Sequence, residues 1–110
     1  MQASIIETRE AIDDVVNLAK YMIDKFKNAS AARRFVNEYE KQIELLSAFP
    51  FSYGGIGIEY RGYEIRIKPF DTYNLFFVVD TENETIIILR VLKNLQNWQK
   101  LIRSDDDYHF

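Results

Sequence analysis

The stretch YEIRIKPFDTYNLFFVVD, residues 63–80, decides how the rest of the chain folds. Tyr63, Ile65 and Ile67 alternate with Glu64, Arg66 and Lys68. A period of two gives a strand one apolar face and one charged face. Pro69 has no N–H to give to a ladder, so it ends this strand or lies at a bulge or an edge. Asp71 and Thr72 supply a turn. From Tyr73 to Val79 nearly every residue is aliphatic or aromatic, the pattern of a strand covered on both faces. The expectation is a buried central strand beside a strand with a basic face, and that face is the expected working surface.

Toward the C-terminus, residues 81–84 form a polar turn in which Asn83 is suited to positive φ. Residues 85–92 read as a third strand, so two successive hairpins make an antiparallel meander. Residues 94–102 read as a short amphipathic helix with Leu95, Trp98, Leu101 and Ile102 on one side. An acidic tail, residues 104–110, ends in Tyr108-His109-Phe110.

Toward the N-terminus, residues 47–58 are irregular and hold Gly54, Gly55 and Gly57, with a short strand expected at 56–60 and a turn at Arg61-Gly62. Phe49-Pro50 stops a helix. That helix, residues 31–47, carries Ala32, Phe35, Val36, Tyr39, Ile43 and Leu46 on one side, with Arg33, Arg34, Asn37, Glu40, Lys41 and Glu44 facing away. An earlier helix, residues 9–26, has Thr8 as its cap. Ile12, Val15, Ala19, Met22, Ile23 and Phe26 form its apolar stripe, opposite Asp13, Asp14, Asn17, Lys20 and Asp24. The break at 28–30 is short, so the helices form an antiparallel hairpin. Residues 3–6 read as a short edge strand. The expected fold is α+β: a helix hairpin on one face of a small antiparallel sheet, with a short C-terminal helix. Val15, Phe35, Ile65, Ile67, Phe77 and Ile88 are expected to be buried.

The 110 residues suit one domain, residues 1–103, followed by the tail at 104–110. There is no cysteine, so no disulfide or thiolate chemistry, which suits a cytoplasmic protein. No stretch reads as a signal peptide or is long enough to span a bilayer. With 14 basic and 17 acidic residues the net charge is −3, and Asp105, Asp106 and Asp107 account for the whole imbalance. That total argues against a generic nucleic-acid binder but leaves room for a local basic face.

Three pieces in order, SAFP at 47–50, YNLFFVVD at 73–80 and IILRVLKNLQNWQKLI at 87–102, resemble the RelE/ParE superfamily of bacterial toxins. The resemblance covers almost the whole chain. It implies the toxin of a type II toxin–antitoxin module, of the kind that stabilises plasmids and arrests growth. It also implies a cognate antitoxin as partner, and no metal or organic cofactor. RelE-like members cut mRNA on the ribosome, and ParE-like members poison DNA gyrase.

Metal-independent RNA cleavage needs a base, an acid and cations around one phosphate. In RelE-like relatives these lie on the meander's concave face, and Arg66 and Lys68 match basic positions of its first strand. Glu64 stands where some relatives have Lys, and Asn74 where RelE-like sequences often carry Arg. Arg90 and Trp98 match residues common in ParE-like sequences. Tyr73 and His109 are further candidates for proton transfer, His109 because some relatives end in a His-Tyr pair. Each has a plainer reading. Arg66 and Lys68 can solvate an open sheet face, or pair with Glu64 across strands. Arg90 shares strand parity with Ile86, Ile88 and Leu92, so its stem is half-buried and a carboxylate partner is expected. Tyr73 and Trp98 fall on apolar stripes and suit a core. His109 lies in a terminal tail beyond an intervening helix and three Asp residues, and such tails are usually mobile. Gyrase inhibition or a degenerate nuclease is slightly favoured. The alternatives are ribosome-dependent mRNA cleavage and a non-toxic protein-binding module on the same scaffold.

Overall fold

The computed structural model describes residues 3–94, 98–102 and 107–110. The chain runs β1 (Ser4–Glu7), α1 (Arg9–Phe26), α2 (Ala29–Ala48), β2 (Gly55–Tyr60), β3 (Tyr63–Phe70), β4 (Tyr73–Asp80), β5 (Thr85–Lys93) and α3 (Trp98–Leu101). One five-stranded sheet has the order β1-β5-β4-β3-β2. β2 to β5 form an antiparallel meander, and β1 joins the edge of β5 in parallel, Ser4 opposite Thr85. Among the described residues no helix is long and apolar enough to cross a membrane.

Local chemistry explains the joints. The Thr8 hydroxyl caps α1 by accepting the Ala11 N–H at 3.1 Å, and Lys27 closes it in the left-handed region at φ 52°. Asn28 caps α2 through the Ala31 N–H at 2.9 Å. One residue thus ends a helix and the next starts another, which folds the pair into a hairpin. Arg61 and Gly62, at φ 55° and 84°, make the tight β2–β3 turn. At the β4–β5 turn the positive φ belongs to Glu84, at 49°, rather than to Asn83. Asn83 instead donates its backbone and side-chain N–H groups to Asp80. Pro69 lies inside β3, opposite Asn74, beyond the last β2 pairing at Arg66↔Gly55, where its missing N–H costs nothing.

β4 is central and buried on both faces, as its unbroken apolar run implies. Against the hairpin pack Leu75, Phe77, Val79, Ile86, Ile88 and Val91, with Val15, Phe35, Tyr39 and Leu46 from the helices. The opposite face has its own core of Ile65, Phe76, Val78, Ile87, Leu89 and Leu92, closed by Ile102 and Tyr108, with half-buried Trp98 against it. Of the residues expected in the core, Ile67 alone is half-buried. It lies at the rim of this second core, whose described cover is one turn of helix and the last residues of the chain. Leu101 points outward, and Leu95, Asp105 and Asp106 lie outside the described residues.

β5 departs from simple alternation. Phe76 pairs with Arg90 while Phe77 pairs with Ile88, so Leu89 is an extra residue and the strand bulges. The bulge reverses parity beyond it. Ile86 and Ile88 face the helices, Leu92 faces the second core, and the single face expected for Arg90, Ile86, Ile88 and Leu92 does not exist.

Candidate functional site

The charged face of β3 is not open. Its parity turns Arg66 and Lys68 toward α2 and the segment after it. Phe49-Pro50 ends α2, a turn closes from Ser52 N–H to the Phe49 carbonyl at 3.3 Å, and Tyr53 lands over the strand. Lys68 is 4% exposed, donates Nζ to the side-chain carbonyl of Gln42, and sits 4.6 Å from the centre of the Tyr53 ring. Arg66 donates Nη1 to the Tyr53 carbonyl at 2.7 Å, and its guanidinium lies 5.2 Å from the Phe51 ring centre. These cations are held by aromatic faces and neutral oxygens. Among the described residues the ion pairs are Arg90–Asp14 and His109–Glu10, so neither Arg66 nor Lys68 has a direct carboxylate, and the pairing with Glu64 does not form.

Tyr73 is buried against Phe35 and Phe70, with ring centres 4.7 and 5.7 Å away. Burial raises its phenol pKa, which leaves the group a poor base near neutrality. It helps line a depression of 340 Å³ with Met22, Arg34, Glu38 and Asp71.

Arg90 is half-buried and has the expected carboxylate partner, Asp14. Asp14 was expected on the solvent side of α1, but it turns inward and is only 14% exposed. The cause is the bulge, whose displaced Val91 N–H also donates to Asp14. Thr8 finishes the junction by donating its hydroxyl to the Ile88 and Leu89 carbonyls at 2.8 and 3.1 Å.

The end of the chain is docked rather than loose. Tyr108 is buried against Tyr60, ring centres 5.1 Å apart. His109 Nδ1 lies 2.5 Å from Glu10 Oε1, and the Arg9 N–H donates to the His109 carbonyl at 2.7 Å. Partial desolvation works against ionisation of Glu10, but hydrogen bonds from His109 outweigh it and hold this carboxyl below its usual range.

Thus β3 brings Arg66 and Lys68 together, while Tyr73, Arg90 and His109 are each engaged by a different neighbour. The sheet face opposite the hairpin, away from Arg66 and Lys68, is lined by Ile65, Phe76, Val78, Ile87 and Leu89, with Ile102 and Tyr108 packed on it.

A second candidate surface lies outside the hairpin. Ile12, Val16 and Ile23 of α1 are 45%, 48% and 45% exposed, and Phe26 is 64% exposed. The stripe predicted for α1 is therefore split, with Val15 inward and Ile12, Ile23 and Phe26 outward. Two hollows between the helices share Val36. One, of 450 Å³, is lined by Ile12, Val16, Ile43, Glu7 and Glu40 among others. The other, of 390 Å³, runs along Ala19, Ile23 and Ala32 to Ala29 at the start of α2. Together they make an apolar furrow beside β1, whose outer edge carries no further strand among the described residues and where Ile6 is 40% exposed.

The profile of the ParE toxin of type II toxin–antitoxin system, parDE, matches residues 5–98. Three solved structures share the fold. The chromosomal ParDE toxin–antitoxin system from P. aeruginosa is 20% identical over 84% of this chain and 96% of that chain, with TM-score 0.67. A RelBE toxin–antitoxin complex from Mycobacterium tuberculosis is 22% identical over 84% and 99%, with TM-score 0.59. The archaeal RelE–RelB complex from Pyrococcus horikoshii OT3 is 16% identical over 87% and 99%, with TM-score 0.53. No curated protein matches the chain.

Proposed function

This chain belongs to the ParE toxin family of type II toxin–antitoxin systems, and from that premise we propose that it arrests growth by inhibiting DNA gyrase and is held inactive by a cognate antitoxin. The observation that carries the choice of target is the dispersal of the candidate proton-transfer groups away from the β3 cations. Cleavage of RNA would need cations and proton-transfer groups converging on one phosphate. Here Arg66 and Lys68 share Tyr53, while Tyr73, Arg90 and His109 are engaged elsewhere by Phe35, Asp14 and Glu10. Inhibition of a protein target needs only a stable surface.

The furrow between α1 and α2 suits the antitoxin. Its apolar length fits an amphipathic helix with anchors every three or four residues, and the open edge of β1 can accept an added strand. Glu7 and Glu40 at one end favour a basic side chain there.

One experiment separates the targets. The chain is expressed without its antitoxin, gyrase supercoiling is assayed with the purified protein, and mRNA 5′ ends are mapped in the arrested cells. Blocked supercoiling with unchanged mRNA ends is expected. New ribosome-dependent 5′ ends with normal supercoiling would overturn the gyrase target. They would favour the second reading, an mRNA endoribonuclease, for which Arg66 and Lys68 side by side on β3 without a direct carboxylate are the specific support.

A further inference from the structure

A net charge of −3 leaves room for a local basic face, and β3 does not offer an open one, since Tyr53 and Gln42 engage Arg66 and Lys68. The cations gather instead where α1 gives way to α2. Residues 20–34 hold five of the 14 basic residues and only one of the 17 acidic ones, Asp24. Lys20, Lys25, Lys27 and Arg33 are exposed, and none of them is in an ion pair among the described residues. Arg34 differs, because Glu38 and Asp71 line its 340 Å³ hollow with it.

Two rings stand among these cations. Tyr21 is 49% exposed and Phe26 64%. Their centres are 5.4 Å apart and their planes meet at 82°, an edge-to-face contact. That contact covers at most one face of one ring, so flat aromatic surface is left for a stacking partner. Lys25 lies four residues beyond Tyr21 and so shares its side of α1. Lys27, at φ 52°, closes the helix directly after Phe26. Rings and ammonium groups thus interleave within about two turns.

We propose that this end of the hairpin is a docking surface for single-stranded nucleic acid, with Lys20, Lys25, Lys27 and Arg33 against phosphates and the Tyr21 and Phe26 rings against base faces. A protein partner fits less well, because protein interfaces are depleted in lysine, which supplies three of the four cations. A duplex fits less well, because its stacked bases present edges rather than faces. Phosphate contact and stacking do not read the sugar, so DNA and RNA strands should both bind. The surface is separate from β3 and does not depend on the target chosen above.

The test is fluorescence anisotropy of labelled oligo-dT and oligo-rU of about 15 nucleotides, titrated with the full chain. With about three phosphates engaged, affinity for each should fall about twentyfold between about 50 and 200 mM salt. Phe26→Leu keeps the bulk without the π face and should weaken binding about tenfold, while Phe26→Trp should retain it. Lys25→Gln should weaken binding and flatten the salt dependence. Lys100→Gln, on α3, should do neither. Thermal melts check that each variant is folded. Salt-insensitive or undetectable binding, or tighter binding to a duplex of equal length, would overturn the proposal. So would a folded Phe26→Leu variant that binds as the parent does, because charge alone would then account for the affinity. Binding to anionic phosphatidylserine vesicles but to neither strand would make this a membrane surface and overturn it too.

Discussion

Asp14 holds Arg90 through Nε to Oδ2 at 2.7 Å and Nη2 to Oδ1 at 2.9 Å, and the same Oδ2 accepts the Val91 N–H at 2.9 Å. One carboxylate on α1 thus satisfies both a half-buried cation and a backbone donor displaced by the β5 bulge. Helix and sheet are joined by charge-assisted bonds at the point where the ladder is irregular.

The two partners are not equivalent in this arrangement. Asp14→Ala takes the carboxylate from both the guanidinium and the Val91 N–H, and should cost about 3 kcal/mol of stability. Arg90→Ala leaves Asp14 bound to Val91, and should cost about half as much. Urea denaturation of both variants checks the order. Equal losses would show that the backbone bond contributes nothing.

Thr8 is fully buried and serves the same junction from the other side, capping α1 while donating to two bulge carbonyls. Thr8→Val keeps the shape but loses all three bonds, with an expected cost of about 2 kcal/mol. Thr8→Ser should recover most of it. A Thr8→Ser variant as unstable as Thr8→Val would place the stabilisation in the methyl group instead.

Most of the fold is legible in the sequence because alternation and helical spacing report which residues can share a face. The run 73–79 reveals a strand buried on both sides before any partner is known. A bulge leaves no such mark, so the parity of Leu92 and the inward turn of Asp14 stay hidden. The covering of β3 is hidden for another reason. Alternation shows that Arg66 and Lys68 share a face, but not that Tyr53 and Gln42 will lie on it. The outward half of the α1 stripe reads as core because period alone cannot tell a residue packed within the chain from one left for a partner. The docked tail is missed because position in the chain suggests mobility, while the buried Tyr108 ring and the Glu10 contact depend on folding.

Lys68 separates structure from catalysis. Its ammonium is buried against an amide and a ring, so Lys68→Met removes a desolvated charge while keeping most of the packing, and stability should stay within about 1 kcal/mol of the parent. Lys68→Ala leaves a cavity and should cost about 2 kcal/mol. If Lys68 binds a scissile phosphate, Lys68→Met should lower the cleavage rate about a hundredfold. Under gyrase inhibition it should arrest growth as the parent does. A folded Lys68→Met variant that has lost toxicity, together with cleavage in the parent, would move the assignment to the nuclease.

The furrow makes the last prediction, and its strength is that fold and binding should respond oppositely. Val16 and Ile23 are about half exposed on α1, outside the core that Val15 joins. Val16→Asp and Ile23→Asp should therefore change stability by less than about 0.5 kcal/mol. In a complex the same positions would lie beneath the partner's apolar anchors, where a buried unpaired carboxylate is costly. Each substitution should weaken antitoxin affinity about thirtyfold or more, near 2 kcal/mol. Calorimetry measures the affinity, and co-expression shows whether the antitoxin still rescues growth. Arg33→Ala, at the edge of the same hollow, serves as a nearby control, because a charge at a rim contributes little to affinity. If Val16→Asp and Ile23→Asp bind the antitoxin as tightly as the parent, the furrow is not its seat. The outer edge of β1 would then be the next surface to probe, with Ile5→Pro: Ser4 and Thr8 donate their N–H groups toward β5, so by alternation the Ile5 N–H points outward, where an added strand would need it.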